Sequence, residues 1–272
     1  MSILSSTRTG KAGFYTAFPK SKIELINLIE AEIEQNGNEC SLNHIDVSSI
    51  TDMSYIFCDS NFNGNISLWD VSNVINMECM FYSSQYTGKN GDISNWDVSK
   101  VEIMSNMFCN SKYNGNISKW KTHNAKFMNC MFQKSVFNGD ISNWNVSNVI
   151  NMTFMFYDSK FNQDLSNWNV KSVESIHGMF CKSKMTIAPK NWDISSLTYN
   201  LLHTENAYLF TIHHVFSETY IEEKNLIPAW YENLKEICNN VFNLREEIRK
   251  KHYLELSEAK TSCLDNITTI MC

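Results

Sequence analysis

Tryptophan recurs in this chain at 69, 96, 120, 144, 168 and 192, a spacing of 24 from Trp96 onward. A phenylalanine series keeps the same beat at Phe57, Phe81, Phe108, Phe132, Phe156 and Phe180. Both series lengthen once to 27, where a three-residue insertion falls near Thr87 to Asp92. One local unit repeated about six times cannot bury its apolar face alone and must stack on its neighbours. The expectation is a solenoid, which is first a binding surface and only second a place for chemistry.

The unit Ile141 to Asp164 divides by period. Trp144 and Val146 alternate, which suits a short strand. Val149, Met152, Met155 and Phe156 follow at helical spacing, which suits one or two helical turns with one buried face. Phe161 then returns to the core. The expected fold class is therefore α/β, with coils of about 24 residues, each a short strand plus a short helical turn. Asn and Ser recur in columns, and stacked amides would bond from one unit to the next.

The flanks differ. Ser21 and Glu24 have capping-box spacing, Ile26, Ile29 and Ile33 follow a helical period, and Gly37 is a natural stop. After Leu197 the helical part of the unit is lost. From Pro228, the residues Trp230, Leu234, Ile237, Val241, Leu244 and Ile248 form a heptad stripe, predicting a helix of about 25–30 residues. A shorter helix is expected within 197–218. The expected organisation is a flexible leader over 1–17, an N-terminal helical cap over 18–41, the repeats over 42–197, and a helical C-terminal cap or accessory domain over 198–272. The stripe either seals the end of the repeats or forms an interface with a partner helix or a second copy.

Composition narrows the function. The chain is 43% apolar and 12% aromatic over 272 residues, enough for an ordered core. Its formal net charge is −6, without the basic excess that backbone-driven nucleic-acid binding needs. No apolar run has signal-peptide or membrane-helix length, so membrane insertion is not expected. Localisation reads as cytoplasmic, or as export without a classical signal. Nine cysteines stand in no CxxC pair, which argues against zinc and for free thiols packed near the core. Cys58, Cys109 and Cys181 share one repeat column, and Cys79 and Cys130 share another.

Chemistry is sparse. His213 and His214 are adjacent, so on a helix they diverge by about 100°. Cys181 and His177 are four apart, yet the equivalent Cys58 and Cys109 have no such histidine. Gly64, Gly115 and Gly139 belong to repeat corners and not to a phosphate loop. No catalytic residue, cofactor or metal is expected, and the protein reads as a non-enzyme.

The units Ile-Ser-Asn-Trp-Asp-Val-Ser-Lys-Val at 93–101 and Ile-Ser-Asn-Trp-Asn-Val-Ser-Asn-Val-Ile-Asn-Met at 141–152, each leading to Met-Phe, resemble the BspA-like repeats. The resemblance covers about residues 18–197. It implies a leucine-rich-repeat-like solenoid, a family linked to surface adhesion and host interaction, and no catalytic residues. On that reading the chain is a protein-binding or host-interaction module. A protein partner is expected, a glycan is a second candidate, and the chain is a monomer or weak homo-oligomer. The candidate surface comprises Leu68, Asn95, Lys119, Asn143 and Asn167 beside the tryptophans, with His123 and Phe127 in the divergent unit of Trp120. Two alternatives stand beside it. One is an effector whose repeats recognise a target and whose C-terminal region acts on it. The other is a structural oligomer built through the 230–248 stripe.

Overall fold

A computed structural model describes residues 14–197 and 214–270, and their side chains except at 245 and 252–270. Three helices are defined: α1 (Lys22–Asn36), α2 (Tyr220–Glu223) and α3 (Ala229–Ile270). Residues 195–197 are also helical where the first described span ends. Among the described residues there is no β-strand. Pairing among these residues is limited to seven isolated parallel bridges: Ala17 with Ile45, Ser41 with Asn65, and a chain of five running through Asp52, Asn76, Ile103, Phe127, Asn151 and Ser175.

The expected α/β solenoid of strand-plus-helix coils is therefore corrected. What reads as a strand around Trp144 and Val146 is two tight turns: Trp144 N–H donates to the Ile141 carbonyl, and Val149 N–H to that of Val146. What reads as helical turns is another run of three-residue turns, Met155 to Met152 and Tyr157 to Phe154. Phe154 and Asp158 stand at φ 54° and 52°, in the left-handed region that ends a right-handed helix. The intervening N–H groups leave their own unit. Phe154 bonds to the His177 carbonyl at 2.8 Å, Phe156 to that of Met179 at 2.8 Å, and Asp158 to that of Cys181 at 2.8 Å. Successive turns bring every third residue to one side, which imitates a helical period without making a helix.

The apolar side of these turns is the core. The phenylalanine rings lie nearly parallel at 5.6 Å from Phe57 to Phe81, 5.4 Å from Phe81 to Phe108 and 5.7 Å from Phe108 to Phe132. The six repeat tryptophans are almost fully buried. Each indole N–H donates to a carbonyl of the preceding unit, as Trp144 does to Ile117 at 3.0 Å and Trp168 to Ile141 at 3.0 Å. A buried indole thus loses no hydrogen bond. Asparagines join the units from outside: Asn148 Nδ2 donates to the His123 carbonyl at 2.7 Å, and Asn138 Oδ1 accepts from Asn162 N–H at 2.7 Å. At Gly64 an added Cβ would lie 1.9 Å from the Cys40 carbonyl, so this corner requires glycine for close backbone approach.

At the start, Ser21 Oγ accepts from Glu24 N–H and caps α1, which ends at Gly37 with φ 81°. Leu25 and Ile29 bury against the first turns, and Lys22 reaches Ser54 at 2.5 Å and Asp52 at 3.4 Å.

At the other end the described chain forms turns again from His214. Phe180 N–H donates to the Val215 carbonyl and Lys182 N–H to that of Ser217. Phe216 stacks on Phe180 at 5.4 Å. His214 and Glu218 repeat the positive φ of Gly178 and Lys182. The helix expected within 197–218 lies mostly outside the described residues, and over 214–218 the chain forms turns instead.

Candidate functional site

Leu68, Asn95, Lys119, Asn143 and Asn167 are all exposed, as is His123. They stand at turn corners, and no bridge passes through their positions. Phe127 does not protrude as an anchor. It is half-buried and sits in the bridge register between Ile103 and Asn151. With no strand layer behind these residues among the described ones, the structure shows no solenoid surface for them to share. The expected repeat-presenting binding module is corrected on that ground. The effector, adhesion and host-interaction readings that rest on the same surface fall with it.

The 230–248 stripe is split by the fold. Its beginning closes the ladder. Trp230 stacks on Trp192 at 5.3 Å, and its indole N–H donates to the Pro189 carbonyl at 2.9 Å. Tyr231, Leu234 and Cys238 are buried against the last turns. Tyr231 meets Phe216 edge to face at 5.3 Å, and burial pushes its phenol up to about 12. A structural oligomer using the whole stripe is therefore also corrected, because Trp230 and Leu234 are spent within the chain. Ile237 and Val241 are half-buried. Beyond them, Leu244 is 57% exposed and Ile248 59% exposed. A helix of 42 residues spans about 63 Å, and among its described side chains those of the first three turns do the docking.

A cavity of about 240 Å³ lies where α3 meets the last turns. Several of its polar groups already have partners. Lys235 pairs with Glu232 at 2.8 Å and lies over the Tyr231 ring, His214 Nδ1 is 3.0 Å from Ser217 Oγ, and Glu222 Oε2 accepts from Glu218 N–H at 2.7 Å. No group of three or more metal-ligating side chains that could hold an ion occurs among the described residues. The seven described cysteines are free.

Sequence reasoning missed that the tail supplies a further rung. The signal was present: His214-Val-Phe-Ser-Glu-Thr-Tyr-Ile221 matches Gly178-Met-Phe-Cys-Lys-Ser-Lys-Met185 position for position. A spacing of 36 instead of 24 hid it.

The chain is thus a turn-built ladder closed by helices at both ends. The family model described as "Mycoplasma protein of unknown function, DUF285" matches residues 30–136 and again 111–214, together more than half of the chain. The chain belongs to that family. This replaces the resemblance to BspA-like leucine-rich repeats, whose strand-bearing coils the structure lacks. Comparison with curated proteins and with solved structures returned no match.

Proposed function

We propose that this protein acts by binding, without catalysis, and that the Leu244–Ile248 stretch of α3 takes a helical segment of a protein partner. One observation carries the reading. The apolar stripe that buries Leu234 continues, on the same helix, to Leu244 and Ile248, which are more than half exposed. Two exposed aliphatic residues one helical turn apart are the i, i+4 anchors of helix-in-groove recognition. Glu247, Arg249, Lys250 and Lys251 are exposed around them and supply a polar rim. No helix among the described residues is long and apolar enough to cross a membrane, which supports a partner in water. The free thiols support a reducing compartment.

The test is site-specific photo-crosslinking of the full chain in extract of its source cell. A photoreactive residue is placed at Glu247, and a control at Glu232 beside the body. The expected result is one partner protein joined at 247, absent at 232, and lost when Leu244→Asp and Ile248→Asp are combined. No adduct at 247, an adduct insensitive to that double variant, or an adduct only with a second copy of this chain would each overturn the reading.

A further inference from the structure

One row of side chains along the ladder offers hydrogen-bond donors and no free acceptor. Asn63, Asn114, Asn138 and Asn162 hold the same place in their units, each next to a buried ring: Phe62, Tyr113, Phe137 and Phe161. Their side-chain oxygens are taken by the next unit. Asn63 Oδ1 accepts from Thr87 N–H at 2.8 Å, and Asn114 Oδ1 from Asn138 N–H at 2.9 Å. Asn138 Oδ1 accepts from Asn162 N–H at 2.7 Å, and Asn162 Oδ1 from Thr186 N–H at 2.7 Å. A backbone N–H can only donate, so the atom it meets is the amide oxygen and the Nδ2 group is left over. Units joined in parallel repeat about every 4.8 Å, which sets the interval between Asn114, Asn138 and Asn162.

The first member of the row shows what such a group takes. Asn63 Nδ2 donates to the Glu39 carboxylate at 3.4 Å, and Asn90 Nδ2 donates to the same carboxylate. Among the described residues, the Nδ2 groups of Asn114, Asn138 and Asn162 meet no acceptor. Cations flank them. Lys112, Lys160 and Lys184 stand two residues before Asn114, Asn162 and Thr186, and Lys134 stands four before Asn138. All four lysines are exposed, and none forms an ion pair among the described residues. Residues 110–190 hold ten lysines and four acidic residues, in a chain whose net charge is −6. Of those four, Asp140 and Asp164 are turned onto Ser142 and Ser166, and Glu174 lies beside the bridge at Ser175. Asp158 stands in the column of Lys134 and Lys182.

We infer that this row binds an extended, acidic segment of a partner protein laid along the ladder. Its carboxylates rest on the amide groups of Asn114, Asn138 and Asn162, as Glu39 rests on Asn63, with the lysines beside them. Ionised acceptors make the stronger hydrogen bonds, so a donor-only row selects carboxylates over neutral polar groups. The rings of Tyr113, Phe137 and Phe161 are fully buried, so a nucleic acid finds no base platform on this face. The site is separate from the Leu244–Ile248 stretch of α3.

The probe is a fluorescent peptide of alternating glutamate and serine, titrated onto the full chain by anisotropy. A lysine–serine twin and a single-stranded oligothymidine of equal charge serve as controls. The acidic peptide is expected to bind more tightly than either and to weaken with salt. Asn138→Asp keeps an oxygen for Asn162 N–H and replaces the outward donor by a negative charge. It should leave the melting transition in place and weaken the peptide at least about tenfold. Asn143→Asp adds the same charge at an exposed position outside the row and should change little. Lys112→Gln with Lys160→Gln removes only exposed charge, should also weaken the peptide, and decides the matter if Asn138→Asp unfolds. The inference is overturned by no binding at about 1 mM, by equal binding of either control, or by equal weakening with Asn143→Asp. It is also overturned if the folded Asn138→Asp or double lysine variant binds as the native chain does. A native chain that is dimeric, and monomeric with Asn138→Asp, would assign the row to a second copy and overturn it as well.

Discussion

Trp230 repeats on α3 what Trp192 does inside the ladder. Its ring lies 5.3 Å from that of Trp192, and its N–H reaches Pro189 as the N–H of Trp192 reaches Leu165 at 3.0 Å. A helix is thereby fixed to a body of turns by the same ring-and-hydrogen-bond rung that the body uses between its own units.

Trp230→Ala should release α3 without unfolding the ladder. The half-buried indole leaves both a ring contact and the Pro189 carbonyl unmatched. Amide hydrogen exchange should show lost protection over 231–238 and retained protection over 141–181. Trp144→Ala, in the middle of the ladder, should instead lower global stability by about 3–5 kcal/mol in denaturant titration.

Leu244→Asp with Ile248→Asp should leave stability within about 0.5 kcal/mol of the native chain, because both positions are mostly exposed. A larger loss would mean that these side chains pack within the chain, and it would remove the basis for a partner there.

Tyr113 is fully buried, and its hydroxyl has no hydrogen-bond partner among the described residues. Its equivalent Tyr86 donates to the Gly91 carbonyl, which lies just after the three-residue insertion that the next unit lacks. Tyr113→Phe removes a desolvated group without removing a bond. It should keep or raise stability by about 1 kcal/mol, whereas Tyr86→Phe should lower it by a similar amount.

Burial holds the thiols protonated. It pushes Cys109 up to about 12, and Cys58, Cys130 and Cys238 up to about 11, from an ordinary 9.0. Alkylation of the folded chain at pH 8 should therefore be slow at these four and become rapid on unfolding. The folded state holds protons more tightly than the unfolded chain. This contribution to stability is thus fully present below pH 9 and is lost as pH rises from 9 toward 11–12. Urea titrations at pH 8, 9, 10 and 11 should show a falling midpoint, and replacing Cys109 and Cys130 by Ser should flatten that fall.

Phe127 shows how a residue's meaning changes with its setting. In sequence it is an aromatic in a mostly polar column, and that reads as an interface anchor. In the structure it is one step of the bridge chain, beside Ile103. Its truncation should be felt in stability first.

The 24-residue beat by itself determined which residues are buried. Trp144, Met152, Met155, Phe156 and Phe161 are all in the core, because a repeated unit must hide the same side chains each time. The cap of α1 was legible for a similar reason: Ser21, Glu24 and Gly37 act within a few residues of themselves. Only the tertiary structure decided how the backbone joins those residues. Turns closed every three residues bury the same positions as a strand followed by a helical turn, so periodicity cannot separate the two. The difference lies in the left-handed corners at Phe154 and Asp158 and in bonds made 24 residues away. Contacts between units also seat Phe216 and Trp230 as the next rung at spacings the beat does not contain, and so leave Leu244 and Ile248 beyond the end of the body.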